Sequence, residues 1–126
     1  MKILENLKYT KNHEWVKIDG NEALIGISDF AQHELGDIVF IDVPTVGETL
    51  GKEETFGSIE AVKTVSDMYM PISGEILEFN EALEADPAII NTDPYGEGWI
   101  IKVKMSNPDD LNKLMPAADY KSHIGA

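Results

Sequence analysis

A seven-residue pattern that occurs twice, P-x-x-G-E-x-L, most constrains the fold of this chain. It occupies residues 44–50 and again residues 71–77, each time after a strand-like run and before another. The proline ends one strand and the glycine permits the positive φ of a turn, so the pattern is typical of a chain that makes the same corner twice. We therefore expect two similar half-sheets that face each other about an approximate two-fold axis.

The first half of the chain carries further strand and helix signals. Residues 14–18 and 23–27 alternate or run apolar on either side of an Asp-Gly turn, which predicts a hairpin. Residues 28–36 begin with a serine that can cap a helix and end with a glycine that can stop it. Residues 38–43 form a nearly continuous apolar run, which is typical of a strand that is largely covered on both faces.

The C-terminal third combines one strand signal with two helix signals. Residues 87–90 favour a short helical turn, and the alternation that ends at residue 104 is typical of an outer strand. Asn107 and Pro108 are a capping residue and a first-turn proline, and acidic residues follow them, so we expect a C-terminal helical segment over about 107–124. Its apolar stripe consists of Leu111, Leu114 and Met115.

Length and composition narrow the class of protein. A chain of 126 residues with 43% hydrophobic content is expected to form a single domain over residues 1–126. It has no cysteine, which excludes disulfides and thiol chemistry of its own, and its net charge of -13 disfavours nucleic acid and anionic membranes and favours basic protein surfaces. No run reaches the roughly 18 apolar residues of a membrane span, and the N-terminus lacks targeting signals, so we expect a bacterial cytoplasmic protein, or a mitochondrial matrix protein if a eukaryotic precursor was trimmed.

Enzymatic motifs are incomplete in this chain. His13 and Glu14 begin the zinc-protease pattern H-E-x-x-H, but Lys17 occupies the position of the second histidine. Carboxylates such as Glu53 and Glu54 are adjacent, and neighbouring positions on a strand point to opposite faces, so they do not converge on one substrate. We therefore expect a protein without a self-sufficient active site.

Lys63 lies between the two copies of the repeat, in the stretch IEAVKTVSD. Residues 55–62 and 65–70 have strand character, so the lysine should lie at an exposed reversal of the chain. A tip lysine is usually only a solvated charge, and an unmodified acidic β adaptor is one hypothesis. A rigid exposed turn is also what a group-carrier lysine needs, because a ligase must acylate it and the resulting arm must swing between active sites.

Several blocks of the sequence resemble the glycine cleavage system H proteins, in the family's order. The blocks are residues 60–67 with 71–75, then His13-Glu14-Trp15-Val16, Gly26-Ile27-Ser28-Asp29, Ala31-Gln32, Leu35-Gly36-Asp37, Asn91, Pro94-Tyr95 and Gly98-Trp99. The resemblance implies a mostly β fold, a barrel-sandwich hybrid of two antiparallel sheets with short peripheral helices, as in lipoyl and biotinyl carriers. It also implies a monomeric carrier that is not an enzyme, with lipoic acid held in amide linkage as N6-lipoyl-lysine at Lys63.

The resemblance implies a defined set of partners for this lipoyl arm. A lipoylating enzyme attaches the arm, and the P protein, a glycine decarboxylase, loads it with an aminomethyl group. The T protein, an aminomethyltransferase, removes that group, and the L protein, dihydrolipoamide dehydrogenase, reoxidises the arm. The sulfurs of the lipoyl ring carry all of this chemistry, which agrees with a chain that lacks cysteine.

Four further residues match functional positions of the family. Glu60 and Gly74 match positions that lipoylating enzymes read. Glu14 and Asp67 match positions near the groove that receives the loaded arm, where a carboxylate can pair with the protonated aminomethyl nitrogen. The alternative for Glu14 and Asp67 is ordinary strand and turn polarity.

Related carriers differ from this chain next to the lysine. Biotin carriers have methionines where this chain has Val62 and Thr64, and lipoyl domains of 2-oxo-acid dehydrogenases are shorter and have Asp-Lys-Ala. An H-like lipoate-relay protein, which passes its arm to other lipoyl domains, stays an alternative because the same lysine and fold serve both roles. One departure from the family is Glu34, where some members have a histidine, while His33 stands one position earlier.

Overall fold

The computed structural model describes residues 2–125 as ten short strands, four α-helices and one 3-10 helix. The strands are β1 (Lys8–Tyr9), β2 (Glu14–Asp19), β3 (Glu22–Ile27), β4 (Ile38–Asp42), β5 (Thr49–Leu50), β6 (Thr55–Ala61), β7 (Val65–Tyr69), β8 (Gly74–Phe79), β9 (Ile101–Met105) and β10 (Met115–Pro116). The α-helices are α1 (Asp29–Leu35), α2 (Ala82–Ala85), α3 (Ile89–Thr92) and α4 (Ala117–His123), and the 3-10 helix is Pro108–Lys113. None of the helices within residues 2–125 combines the length and the hydrophobicity needed to cross a bilayer.

The strands form two antiparallel sheets, which confirms the expected mostly β, barrel-sandwich fold. The seven-stranded sheet has the order β10-β1-β2-β3-β9-β8-β5, and the three-stranded sheet has the order β4-β6-β7. Both sheets contribute to one buried core, for example Ile25 and Val103 from the larger sheet and Ile59 from the smaller one. Burial of these apolar side chains between the sheets is the main stabilising contribution to such a fold.

The hairpin and the helix expected in the first half are confirmed. Strands β2 and β3 pair from Glu14 opposite Ile27 to Asp19 opposite Glu22. The Ser28 side chain accepts a hydrogen bond of 3.1 Å from the Ala31 N–H and so caps α1. Gly36, with φ 79°, ends the helix, and its N–H donates to the Gln32 carbonyl.

The two copies of the repeat lie side by side, but they do not make the same corner. Thr49 pairs with Glu75, and the Gly47 N–H donates to the Ile76 carbonyl over 2.8 Å, so the copies are antiparallel neighbours. Gly47 has φ 90°, as a turn requires, whereas Gly74 begins strand β8. The prediction of two equal turns was therefore wrong, because the second glycine is required by close packing instead.

Two strand environments also differ from expectation. Strand β4 is an edge strand of the smaller sheet, and its Phe40 is 54% exposed, so this run is not covered on both faces. Strand β9 is not an outer strand, since it lies between β3 and β8. The apolar run of β4 did not reveal that its apolar side chains on one face stay exposed, and the alternation of β9 does not report which strands lie beside it.

The C-terminal segment is broken and is not one continuous helix. Asn107 caps the 3-10 helix as expected, by accepting the Asp109 N–H at 3.1 Å. The chain then becomes extended at Leu114, and Met115 pairs with Tyr9 of β1 before α4 begins. Pro116 accounts for the break, because a proline disfavours helical backbone at the residue before it.

Candidate functional site

Lys63 lies at the tip of the β6–β7 hairpin, where the three residues 62–64 connect the strands. The Ala61 N–H donates to the Thr64 carbonyl over 2.8 Å, and the Val62 N–H donates to the Asp37 carbonyl over 3.0 Å. The lysine side chain is exposed and forms no ion pair with any residue of the range 2–125. The backbone of the tip is thus held on both sides, while the amine projects into solvent, as the sequence predicted.

Asn91 holds the segment on which this tip rests. Its side-chain amide donates to the Gly36 carbonyl over 2.9 Å, and its side-chain oxygen accepts the Ile38 N–H at 3.0 Å. These bonds fix the residues on either side of Asp37, whose carbonyl in turn accepts the Val62 N–H. The sequence places Asn91 in a family block but carries no signal for this role, since its partners are more than 50 residues away.

The two expected recognition residues lie in different sheets and in opposite environments. Glu60 is exposed in the smaller sheet, paired on one side with Phe40 and on the other with Val65. Gly74 is buried in the larger sheet, where an added Cβ would come within 2.4 Å of the Lys104 carbonyl oxygen. Packing alone therefore requires a glycine at position 74, whatever an enzyme reads there.

Glu14 is a buried carboxylate that connects the two sheets. It is 2% exposed at the start of β2, and its two oxygens accept hydrogen bonds from the Thr10 hydroxyl at 2.6 Å and the Tyr69 N–H at 3.4 Å. Burial raises the pKa of Glu14 from its usual value of 4.5 to about 7, against the lowering effect of these hydrogen bonds. A carboxyl group that is partly protonated near neutral pH responds strongly to any cation placed beside it.

A cavity of about 160 Å³ opens beside Glu14, between helix α1 and strand β7. Its acidic lining residues are Glu14, Glu34 and Asp67, and its apolar lining residues are Ile27, Phe30, Ala31, Leu35, Ile59 and Met68. His33 is absent from this lining, so the position where some H proteins have a histidine contributes a carboxylate here. The structure thus brings two of the expected residues, Glu14 and Asp67, to one cavity.

The strand register refines the position of Asp67. Ser66 pairs with the buried Ile59, whereas Asp67 pairs with Ser58 and shares the opposite face of the strand. Ser66 therefore turns toward the cavity, and Asp67 lies at its rim. Ser66 is only three residues from Lys63, a distance of about 10 Å along an extended strand, so an arm on the lysine has a short path to the cavity.

A second and larger cavity, of about 300 Å³, lies on the other side of Glu14. Three lysines, Lys11, Lys52 and Lys113, line it together with the carboxylates of Glu14 and Glu53. The lining of the smaller cavity contains Glu14, Glu34 and Asp67 and no lysine. A cationic group is therefore attracted more strongly to the smaller cavity than to the larger one.

Sequence reasoning missed the roles of two residues beside Glu14, of which only His13 lines the smaller cavity. Thr10 bonds Glu14 through its hydroxyl, and His13 lines the cavity with a φ of 73°, a conformation that L residues other than glycine rarely adopt. The His13 Nδ1 lies 2.9 Å from the Tyr120 hydroxyl, and burial together with the nearby His123 lowers the pKa of His13. No sequence signal reports a positive φ at a histidine, so only the structure identifies this strain.

Comparison with known proteins agrees with this geometry. The family model described as "Glycine cleavage H-protein" matches residues 7–125. The glycine cleavage system H protein of Bacteroides fragilis is 52% identical over 126 residues, with 100% of both chains covered, and that of Chlorobaculum tepidum is 54% identical with 99% of each covered. The crystal structure of a glycine cleavage system H protein from Mycobacterium marinum superposes with a TM-score of 0.90 at 40% identity, over 98% of this chain and 100% of the other. This chain therefore belongs to the glycine cleavage H-protein family.

Proposed function

We propose that this protein is the lipoyl carrier of a glycine cleavage system, and that residues 1–126 act as one carrier domain with Lys63 as the attachment point. The observation that carries the proposal is an exposed lysine on a hydrogen-bonded tip, a few residues from a cavity that is apolar and acidic. The residues fit a lipoyl group, since the Lys63 side chain is exposed and the cavity offers apolar walls for the arm. When bound, the lipoyl ring supplies the sulfur chemistry that a chain without cysteine lacks.

Glu14 has the role of receiving the ammonium end of a loaded arm. Its buried carboxyl group is partly protonated near neutral pH, and a cation beside it favours the carboxylate. With an ammonium group beside it, Glu14 would release its proton to solvent and its carboxylate would accept a charge-assisted hydrogen bond. Glu34 and Asp67 add negative charge at the rim of the same cavity.

The carrier receives its aminomethyl cargo from the P protein and passes it to the T protein, while the L protein reoxidises the arm that a lipoylating enzyme attached. The names of the relatives support this set of partners, since they are glycine cleavage system proteins. The net charge of -13 favours partner surfaces that are basic. The relatives are bacterial, which supports a location in the bacterial cytoplasm.

The decisive experiment compares two variants. One replaces Lys63, the proposed attachment point, and the other replaces Lys17, an exposed lysine on β2. Both Lys63→Arg and Lys17→Arg keep the positive charge, so each should fold normally. The protein is made in a lipoate-competent host, and intact mass with peptide mapping locates the added group. In Lys63→Arg only, we expect complete loss of acylation and of glycine decarboxylation with the P, T and L proteins. A wild-type chain that stays unmodified while a control protein is acylated in the same host would refute the proposal.

A further inference from the structure

The Tyr120 hydroxyl of helix α4 bonds two residues beside the cavity that contains Glu14. Tyr120 is fully buried, and its ring stacks on that of Tyr9 with the centroids 4.4 Å apart and an interplanar angle of 4°. The hydroxyl lies 2.9 Å from the His13 Nδ1 and 2.6 Å from the Ser28 Oγ. Burial raises the pKa of Tyr120 to about 12, so the hydroxyl keeps its proton at neutral pH. One buried group near the end of the chain thus joins two segments near its start.

The two partners of this hydroxyl belong to different walls of the cavity of about 160 Å³. His13 lines the cavity from the loop before β2, and its ring centroid lies 5.0 Å from that of Phe30, which lines the cavity from α1. Ser28 caps α1, because its Oγ accepts the Ala31 N–H over 3.1 Å. The rings of His13 and Phe30 therefore close the cavity between the loop and the helix, and Tyr120 bonds both sides of this contact.

The His13 ring depends on a specific partner for its orientation. Its φ of 73° is unfavourable for a histidine, and such conformations persist only where the surrounding contacts fix them. The Ser28 N–H donates to the His13 carbonyl over 2.9 Å, which fixes the main chain but leaves the ring free to rotate. Within residues 2–125, the Tyr120 hydroxyl is the one hydrogen-bond partner of that ring. The orientation of the ring therefore depends on Tyr120.

The charge of His13 matters to a cation in the cavity. Burial and the nearby His123 lower the pKa of His13, while Glu34 acts in the opposite direction. The ring is therefore mainly neutral at pH 7, and its neutral Nδ1 can accept the Tyr120 O–H. A neutral ring does not repel an ammonium group beside Glu14, whereas an imidazolium would.

We propose that Tyr120 is a positioning residue of the lipoyl carrier, which holds the His13 ring in place as a wall of the cavity for the loaded arm; this inference rests on the proposed carrier function. Tyr120 does not line the cavity, so its effect passes through His13 and the start of α1. With this wall in place, the ammonium end of the arm stays beside Glu14 and apart from bulk water.

Tyr120→Phe removes only the hydroxyl, and Tyr9→Phe is the matched control. Both rings are fully buried in the same stack, but the Tyr9 hydroxyl bonds Leu4, which does not line the cavity. In the unmodified protein, NMR follows the titration of the His13 ring. In Tyr120→Phe we expect the pKa of His13 to rise toward its ordinary value of 6.5, because the ring loses the donor to its neutral form and its fixed burial. Tyr9→Phe should titrate like the wild type.

The lipoylated protein provides the functional measurement. It is loaded with glycine and the P protein, the P protein is removed, and the formaldehyde released without the T protein is followed. In this reaction water cleaves the C–S bond of the aminomethyl group to give a thiol, formaldehyde and ammonium. A nitrogen that Glu14 holds protonated has no lone pair to expel the sulfur. We expect release to be about fivefold faster in Tyr120→Phe than in the wild type and Tyr9→Phe.

A double-mutant cycle separates positioning from a general loss of stability. His13→Asn removes the ring and introduces a residue that tolerates positive φ. If Tyr120 acts through His13, Tyr120→Phe should not accelerate release any further in the His13→Asn background. Additive effects of the two changes would mean that Tyr120 only stabilises the fold, and would overturn the proposal.

The possible failures distinguish the two proposals. A wild-type chain that is not acylated, or not loaded by the P protein, would refute the carrier function itself. A Tyr120→Phe protein with the His13 titration or the release rate of the wild type would overturn the positioning role alone. If Tyr120→Phe does not show the circular dichroism of the wild type, two measurements replace it. Nuclear Overhauser contacts must join the Tyr120 and His13 rings in the wild type, and His13→Asn must release formaldehyde faster; failure of either would overturn the positioning role.

Discussion

The two sheets of this protein carry functional residues in opposite ways. The three-stranded sheet leaves Glu60 exposed on strand β6 and Lys63 exposed in the loop between β6 and β7. The seven-stranded sheet holds Glu14 at 2% exposure and leaves no space for a side chain at Gly74. The site residues of the smaller sheet are accessible to other molecules, while those of the larger sheet are fixed by packing.

This difference separates effects on function from effects on stability. A change at the exposed site residues of the smaller sheet removes little packing, so it should alter recognition or acylation while the fold remains. A change at the site residues of the larger sheet disturbs buried contacts, so it should alter the free energy of unfolding first.

Gly74→Ala should be strongly destabilising. The added Cβ would approach the Lys104 carbonyl oxygen and the Val103 Cγ1 to 2.4 Å, and the backbone of β9 cannot move without disturbing the core. We expect a loss of at least about 3 kcal/mol in the free energy of unfolding, the upper range for overpacking. Urea denaturation followed by circular dichroism measures it.

Gly51→Ala is the matched control for this prediction. The nearest heavy atom to its added Cβ is 3.8 Å away, and its φ is not positive, so its stability should stay within about 1 kcal/mol of the wild type. A Gly74→Ala protein with normal stability but poor acylation would contradict the packing argument, and would show that the ligase reads this position.

Glu14→Gln should remove most of a pH dependence of stability. The folded-state pKa of Glu14, about 7, lies above its usual value of 4.5, so the folded protein holds this proton more tightly than the unfolded chain. The resulting stability is fully present below about pH 4.5 and is lost as the pH rises through about 7. We expect the unfolding free energy of the wild type, relative to Glu14→Gln, to fall by about 3 kcal/mol between pH 4.5 and 8.

Urea unfolding at pH 5, 6, 7 and 8 provides the measurement. Glu60→Gln is the control, because it removes the same charge from an exposed position and so separates burial from net charge. If the free energies of unfolding of the wild type and Glu14→Gln changed with pH in parallel, Glu14 would not be the buried titrating group. The contrast between buried site residues in one sheet and exposed ones in the other would then fail.

The sequence predicted the parts of this molecule that depend on local chemistry. The first hairpin, the caps of α1 and the exposed tip at Lys63 follow from neighbouring residues, and the structure has them as expected. The resemblance placed Glu14 and Asp67 near one groove, and both line the same cavity, while their role toward an arm stays a prediction. These features depend either on residues that are close together in the chain or on a match to several blocks of the family, so the sequence could predict them.

The features that the sequence did not predict depend on residues that are remote in the chain. The edge position of β4 is set by which strand lies beside it, and the surroundings of Glu14 include Tyr69 of the other sheet, 55 residues away. The rim position of Asp67 follows from a register that one residue of slip would reverse. The residue types at these positions do not indicate any of these features.

Thr10→Val should have a smaller effect, confined to the surroundings of Glu14. The change keeps the shape of the side chain and removes the hydroxyl, which donates to the Glu14 carboxylate over 2.6 Å and accepts the backbone N–H groups of Asn12 and Glu14. This hydrogen bond lowers the pKa of Glu14, so its loss should raise that pKa further. We expect a destabilisation of about 2 kcal/mol at pH 8 and about 1 kcal/mol at pH 5, because a bond to the ionised carboxylate is stronger than one to the neutral acid.

Two controls isolate the hydroxyl at position 10. Thr10→Ser retains the donor and should restore most of the stability at pH 8, whereas Thr55→Val makes the same change at an exposed position of β6 and should cost under about 0.5 kcal/mol. The carboxyl carbon shift of Glu14, followed by NMR against pH, reports its titration directly. A titration that is identical in Thr10→Val and the wild type would mean that burial alone sets the response of Glu14, and that the loop before β2 does not position its charge.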